Sequence, residues 1–242
     1  MGERLNESWK LTHPKMALIV ACILSIGHFL SPDPLNLERY GLGVLGVIVA
    51  LVGVYRFNEV SDFKRGSTPW RYHVTIGCIL IVLGVTMGVY LSIKYAWWVV
   101  VLLAIGAGGM VAYNVLRSPI IHNRVFYAFI WGGFPFYGSY ALQTLNPVPT
   151  PGIVAWAVFF SVVAVEVLWT WGPIGCRHQA ECKRATPDKV CHSPVMTCKD
   201  RMDIPASVRK HTQLMVTMKA VVIVLLMIAV LLMRKGLLEG RP

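Results

Sequence analysis

Two groups of acidic residues have the composition and spacing of a divalent-cation site. Asn58, Glu59 and Asp62 lie in the string RFNEVSDFKRG, and Asp200 and Asp203 lie three residues apart in KDRMD. Asn58 and Asp62 are four residues apart, so on a continuous helix they share one face. Carboxylates that face one cavity repel each other unless a cation lies between them. Mg²⁺ is commonly held by one or two carboxylates together with substrate phosphates, so the pattern predicts a magnesium site.

Basic residues accompany these acids and supply the second half of the predicted chemistry. Lys and Arg bind phosphate oxygens directly, and Arg does so through paired donors. Acids, an amide and bases at one membrane face therefore indicate a site for a diphosphate whose lipid tail lies in the bilayer. The candidate phosphate ligands are Lys64, Arg65, Arg117, Arg124, Arg209 and Lys210. The alternative is that these are solvated charges flanking helix ends, which loops of membrane proteins carry in any case.

The elements that must position these residues are apolar helices. Of the 242 residues, 55% are hydrophobic and 14% are charged, whereas a soluble domain carries roughly a quarter charged residues. A spanning helix needs about 20 mostly apolar residues, and the sequence predicts an all-α, polytopic transmembrane helical bundle of about seven spans. The predicted spans are 16–31, 40–56, 72–92, 95–116, 125–143, 153–172 and 213–233.

The distribution of basic residues predicts the orientation of this bundle. Lys and Arg are concentrated in the N-terminal segment and in the connections after the second, fourth and sixth spans. Short basic loops stay on the cytoplasmic side, so we expect an N-in, C-out topology and a multi-pass protein of the cell membrane. The formal net charge of +11 is then an orientation signal and implies no nucleic-acid partner. We expect one membrane domain over 1–242, with a cysteine-containing cytoplasmic insertion at 173–199.

Several strings resemble motifs of the UbiA superfamily of intramembrane prenyltransferases. NEVSDFKRG is similar to the superfamily's Asn-Asp-x-x-Asp motif, and Tyr113 with Asn114 resembles its Tyr-Thr or Tyr-Ser step. Residues 131–144, WGGFPFYGSYALQT, resemble the Gly-rich helix and Gly-Thr-Tyr-x-x-Gln-Thr string of one branch. That branch prenylates 1,4-dihydroxy-2-naphthoate in menaquinone synthesis. The segment from Asp200 to Thr212 resembles the second aspartate motif.

The resemblance implies a transferase that moves an isoprenyl chain from its diphosphate to an aromatic quinone precursor. Geranylgeranyl transfer to a glycerol-phosphate lipid, as in archaeal members, is the alternative acceptor chemistry. The implied Mg²⁺ ligands are Asn58, Asp62, Asp200 and Asp203. The implied catalytic residues are Asp62, Glu59 and Tyr113, with Glu59 either a metal ligand or the base that removes the acceptor proton. The implied substrate-binding residues are Lys64, Arg65, Arg117, Arg124 and Lys210.

Departures from the superfamily pattern support a second class of function. Glu59 stands where the superfamily usually has Asp, seven predicted spans compare with nine, and a cysteine-containing insertion separates the sixth span from the second motif. These features favour a non-catalytic subunit that binds quinone or lipid within a larger membrane complex. Oligomerisation would complete the helical wall if the chain is an enzyme.

Four cysteines in the insertion leave three interpretations open. Zinc binding, disulfides and unlinked thiols are all compatible with this segment, but no C-x-x-C pair is present, which fits structural zinc sites poorly. The possible zinc ligands are Cys176, Cys182, Cys191 and Cys198.

Single polar and aromatic residues in the spans carry further expectations. Glu166 lies within the sixth predicted span and has either a functional role or a side chain that reaches water at the span end. Trp131 and the other tryptophans near span ends are expected to anchor at the membrane interface.

Overall fold

The described part of the chain is helical throughout. The computed structural model describes 14–62, 70–115, 124–149, 151–171 and 206–239, and the side chains at several helix ends, 57–62 among them, lie outside the description. No strand occurs in these residues. The helices are α1 Pro14–Leu30, α2 Leu37–Asp62, α3 Trp70–Lys94, α4 Val99–Val115, α5 Arg124–Ala128, a π-helical turn Phe129–Gly133, α6 Phe134–Thr144, α7 Ile153–Trp171 and α8 Ala206–Glu239.

Each predicted span overlaps a described helix over most of its length, with α5, the π turn and α6 together forming the fifth. The fourth helix begins at Val99, four residues later than its predicted span. Among the described residues, three segments are long and apolar enough to cross a membrane, namely Leu37–Arg56, Arg71–Lys94 and Val216–Lys235. Shorter apolar helices occur at Lys15–Leu30, Val99–Met110 and Ile153–Val167. The all-α membrane fold is confirmed at this level, while the count of seven spans and the N-in, C-out topology stay predictions.

The tightest helix pair is α2 with α3, and glycines set its spacing. A Cβ added at Gly84 would lie 2.5 Å from the carbonyl oxygen of Gly46, and one at Gly53 would lie 2.8 Å from that of Gly77. Real Cβ atoms do not approach that closely, so any side chain there would push the helices apart. The glycine run in α2 therefore serves close helix packing, as small residues do at membrane helix interfaces.

Helix α1 occupies the centre of the bundle, where it packs against α2, α6 and α8. Its apolar residues form a core with Phe136 of α6, Val162 of α7 and Ile223 of α8. Ile23 and Ile26 of α1 are fully buried in this core. The short α1 is thus buried on several sides by its neighbours.

Helix α5, the π turn Phe129–Gly133 and helix α6 form one continuous helix that is wider at the π turn. Ala128 and Phe134, which flank the turn, both have right-handed helical backbone angles, and the Phe134 N–H donates to the carbonyl of Phe129 five residues earlier. Pro135 follows immediately and has no N–H to give to residue 131. Insertion of a π turn is a common way to absorb such a break, and π turns are frequent at functional sites.

The alternation of the helices defines two ends of the bundle. The end where α2, α4 and α7 finish and α3, α5 and α8 begin carries the acidic part of the first predicted motif, Asn58 to Asp62, and we call it the motif end. At the opposite end, Glu38 accepts hydrogen bonds from Lys94 at 2.7 Å and from Tyr90 and Tyr95 at 2.8 Å. Arg234 of α8 donates there to backbone carbonyls between His28 and Asp33. The guanidinium thus satisfies carbonyls at the C-terminus of α1, which have no partner within the helix.

Candidate functional site

The first predicted motif lies on an unbroken helix. Helix α2 extends to Asp62, so Asn58 and Asp62 are one helical turn apart, as their spacing predicts. Their side chains, and that of Glu59, lie outside the described residues, so their roles as ligand or base stay predictions.

Tyr113 is the one predicted site residue whose side chain is described. It is buried near the end of α4, with its ring centroid 6.4 Å from that of Phe126 in a stacked arrangement and 5.3 Å from that of Tyr127 in an edge arrangement. This contact joins the end of α4 to the start of α5 at the motif end. The structure therefore brings Tyr113 to the end of the bundle where the first motif lies.

An aromatic cluster extends inward from Tyr113. Tyr127 lies 5.9 Å from Trp131 between ring centroids, and Trp131 stacks on Tyr55 of α2 at 5.5 Å and 10°. Trp131 is 2% exposed, so its predicted role as an interfacial anchor is wrong. Its position in the π turn directs the ring into the bundle, against α2. This aromatic cluster comprises Tyr55, Tyr113, Phe126, Tyr127 and Trp131.

A buried ion pair lies against the aromatic cluster. Lys219 of α8 donates to Oε2 of Glu166 of α7, and its Nζ lies 5.8 Å from the centroid of the Tyr127 ring. Glu166 is fully buried, so the expectation that its carboxylate reaches water is wrong. Its other oxygen, Oε1, is buried and has no hydrogen-bond partner in the part of the chain described. The pair places opposite charges inside the bundle, the setting in which intramembrane ionisable residues are commonly functional.

The sequence offers a signal for this pair. Glu166 and Lys219 are charged residues within otherwise apolar helices, and such residues generally face the bundle interior and pair with each other. Pattern analysis identifies both residues but not their contact, because α7 and α8 are separated by the long segment 172–205.

A largely apolar cavity lies between α1, α2, α3, α4 and α6. The cavity is open on one side, and its space is about 850 Å³ when the adjoining solvent at its mouth is included. Its wall includes Ala50, Met110 and Phe134, and many of its other residues are glycine, leucine or valine. Met110 is one helical turn before Tyr113, so the cavity reaches the level of the aromatic cluster. A long apolar chain fits this space chemically, because the wall offers few hydrogen-bonding groups.

The remaining predicted site residues fall outside the description. Arg124 and Lys210 lie in the first turns of α5 and α8, but their side chains are not among those described. Neither backbone nor side chain is described for Lys64, Arg65, Arg117, Asp200, Asp203, Cys176, Cys182, Cys191 and Cys198. Among the side chains that are described, no group of three or more His, Cys, Asp or Glu residues is placed to hold a metal.

The apolar helices and their buried charges define a multi-pass membrane protein. Sequence comparison then finds curated relatives named protoheme IX farnesyltransferase, from Xylella fastidiosa (strain Temecula1 / ATCC 700964) and from Xanthomonas oryzae pv. oryzae (strain MAFF 311018). Each is 22% identical over 188 residues, which is 70% of this chain and 60% or 61% of the relative. The chain thus spans about 60% of the length of the curated relatives it matches. A protein of the same name from Xylella fastidiosa (strain 9a5c) is 29% identical over 79 residues, which is 29% of this chain and 26% of that relative.

These relatives support the resemblance at the level of intramembrane prenyltransferases. Their name gives no support to the dihydroxynaphthoate branch, which stays a prediction from the string at 131–144. No family model matches the chain, and no solved structure matches it.

Proposed function

We propose that this protein is an intramembrane prenyltransferase that moves an isoprenyl chain from its diphosphate to an electron-rich acceptor. The observation that carries the proposal is the apolar cavity, which extends toward the motif end, where Asn58 and Asp62 lie at the end of α2. The cavity would hold the isoprenyl tail, and the motif end would hold the diphosphate. The curated relatives, farnesyltransferases by name, support this assignment.

Helix geometry connects the cavity to the first motif. Val47 of α2 lines the cavity, and Asn58 follows it by eleven residues on the same unbroken helix. At 3.6 residues per turn, a residue eleven positions later lies within about 20° of the same direction around the helix axis and about 16 Å further along that axis. The cavity-lining face of α2 therefore leads to the position of Asn58.

A magnesium ion fits the residues proposed for the diphosphate site. The unbroken end of α2 places Asn58 and Asp62 one turn apart, and together with Asp200 and Asp203 they would form an amide and carboxylate set of the kind Mg²⁺ prefers. When bound, the ion would neutralise charge on the diphosphate. The phosphate oxygens would also be bound by Lys64, Arg65, Arg117, Arg124 and Lys210.

The reaction exchanges one bond for another. The C–O bond between the allylic carbon and the diphosphate breaks, and the diphosphate leaves with the electron pair. The allylic carbon then bonds to the acceptor, which loses a proton to Glu59 where that carboxylate acts as the base. Tyr113 and its aromatic neighbours lie near the cavity and present electron-rich rings, which favour a developing cation nearby.

The acceptor has three candidates of different chemistry. The relatives' name points to protoheme IX, whereas the string at 131–144 points to 1,4-dihydroxy-2-naphthoate. A glycerol-phosphate lipid is the third candidate. All three can be offered separately to the same protein.

The test is product formation by the purified protein in lipid nanodiscs. Farnesyl diphosphate and Mg²⁺ would be supplied with each acceptor in turn, and the prenylated product would be detected by mass spectrometry alongside released diphosphate. We expect product with one acceptor class, and loss of that product on chelation of Mg²⁺ and in Asp62→Asn and Asp203→Asn. Asp33→Asn, at the opposite end of the bundle, is the matched control and should retain activity.

Absence of prenylated product with all three acceptors, from a protein that remains folded, would contradict the proposal. If that protein instead co-purified with stable partners and bound quinone or lipid, it would be the non-catalytic subunit of a larger membrane complex.

A further inference from the structure

The end of the cavity that lies away from the motif end contains a buried histidine. One of its two ring nitrogens has no hydrogen-bond partner among the described residues. His28 of α1 lines the cavity and is 0% exposed. Its Nδ1 lies 3.1 Å from Oε1 of Gln143, and its ring meets Tyr40 edge-on at 5.4 Å between centroids. Its Nε2 has no hydrogen-bond partner in the part of the chain described. A buried polar atom without a partner is unusual and calls for an explanation.

The neighbouring contacts determine which nitrogen of His28 carries the proton. Nε2 of Gln143 donates to the carbonyl of Pro34 at 2.6 Å, which fixes the orientation of the amide. The Gln143 oxygen therefore faces His28 and can only accept, so Nδ1 of His28 must be the donor. The network assigns the proton to Nδ1.

The ring is neutral in this setting. Within the described residues, no carboxylate lies within hydrogen-bonding distance of His28, and the guanidinium of Arg39 donates to the carbonyl of Gln143 at 2.7 Å. Protonation of the His28 ring would therefore bury a second positive charge near the guanidinium of Arg39. In the neutral ring with its proton on Nδ1, Nε2 is a lone-pair acceptor.

Glycine at position 43 leaves room in front of this acceptor. A Cβ added at Gly43 would lie 3.5 Å from Nε2 of His28 and 3.0 Å from a methyl carbon of Leu142. Gly43 and Leu142 both line the cavity. Ser139, the other uncharged polar residue nearby in the wall, already donates to the carbonyl of Phe136 at 2.8 Å. The Nε2 lone pair is therefore the feature of this apolar wall that requires a donor.

We propose that the opposite end of the cavity binds the hydroxyl group of a lipid alcohol, which donates a hydrogen bond to Nε2 of His28. The ligand is an amphiphile with an apolar chain in the cavity and a free hydroxyl donor, either an isoprenoid alcohol or a prenylated hydroquinone. An ether or a quinone carbonyl offers no donor and leaves Nε2 unsatisfied. This binding involves no diphosphate, so it stands or falls independently of the transfer reaction.

The test compares ligands that differ only in the hydroxyl proton. Farnesol and farnesyl methyl ether would be titrated into the wild-type protein in nanodiscs, with the fluorescence of Trp98 in the cavity wall as the readout and Trp98→Phe to assign the signal. An unsatisfied buried acceptor predicts that farnesol binds roughly 10-fold more tightly. Farnesylhydroquinone and its dimethyl ether form a second pair. Comparison of the two pairs shows whether the site prefers a phenolic hydroxyl or the aliphatic hydroxyl of farnesol. Equal affinities within both pairs would overturn the proposal without any His28 variant.

Variants separate the hydrogen bond from the shape of the cavity. His28→Phe should remove the preference for the alcohol. Gln143→Met should also abolish it, because the ring can then protonate Nε2 and donate to an ether oxygen. Ser139→Ala, in the same wall, is the matched control and should keep the preference. A preference for the alcohol that survived in a folded His28→Phe protein would contradict the proposal.

Discussion

Lys219 of α8 and Glu166 of α7 form a salt bridge inside the helix bundle, with side chains that are 3% and 1% exposed. Removing two charges from water is expensive, and their attraction offsets that cost only while both remain. The pair also fixes the relative height of α7 and α8 beside the aromatic cluster. The contact between these two helices thus depends on a polar interaction as well as on apolar packing.

Breaking the pair from one side should destabilise the protein strongly. We expect Lys219→Met to lower the free energy of unfolding by about 3–5 kcal/mol, because Glu166 is left buried without its counter-charge. The double variant Glu166→Gln with Lys219→Met should recover much of that loss, because no lone charge remains. Thermal unfolding in detergent measures both effects. Lys235→Met, an exposed position of the same helix, is the control and should change stability by less than about 1 kcal/mol. A double variant as unstable as the single one would show that the charges themselves are not the cause.

Gly132 in the π turn should tolerate no side chain. A Cβ there would lie 2.7 Å from Cγ of Glu166 and 3.3 Å from a methyl carbon of Val162. We expect Gly132→Ala to cost about 1–3 kcal/mol by overpacking and to displace Glu166 from Lys219. Gly108→Ala is the matched control, because nothing lies within 4 Å of its added Cβ and alanine favours the helix by up to about 1 kcal/mol. Unfolding temperatures that change equally in the two variants would contradict the packing argument.

Sequence pattern predicts what lies within one helix better than what lies between helices. The unbroken end of α2 agrees with the four-residue spacing of Asn58 and Asp62, which is a property of one helix. The contact between His28 and Gln143 joins residues 115 positions apart, and the rotation of α1 against α6 decides it. Trp131 shows the same limit. A tryptophan near a predicted span end is typical of the membrane interface, whereas the π turn directs this ring into the bundle. Local periodicity carries no information about such rotations.

Filling the cavity should impair binding of the isoprenyl donor without unfolding the protein. Ala107 of α4 lines the cavity, so Ala107→Phe would occupy part of the space proposed for the tail. A cost of about 1–3 kcal/mol corresponds to roughly 5- to 150-fold weaker binding of farnesyl diphosphate. Ala104→Phe makes the same change one turn away at an exposed position of α4 and should bind the donor normally. The affinities are measured by titration in nanodiscs, and a normal affinity in Ala107→Phe would exclude this cavity as the site of the tail.

The hydroxyl of Tyr113 should matter for the reaction more than for the fold. Its ring packs against Phe126 and Tyr127, and Tyr113→Phe keeps that packing while removing only the oxygen. A hydrogen bond to a charged group contributes about 1.5–3 kcal/mol, so we expect turnover to fall roughly 10- to 150-fold, with a smaller change in unfolding temperature than in Tyr113→Leu. Tyr113→Leu should lower both, because the ring contacts are lost as well. The comparison requires the transfer assay and thermal unfolding on the same preparations. If Tyr113→Phe turned over at the wild-type rate, Tyr113 would have a packing role alone, joining α4 to α5 at the motif end.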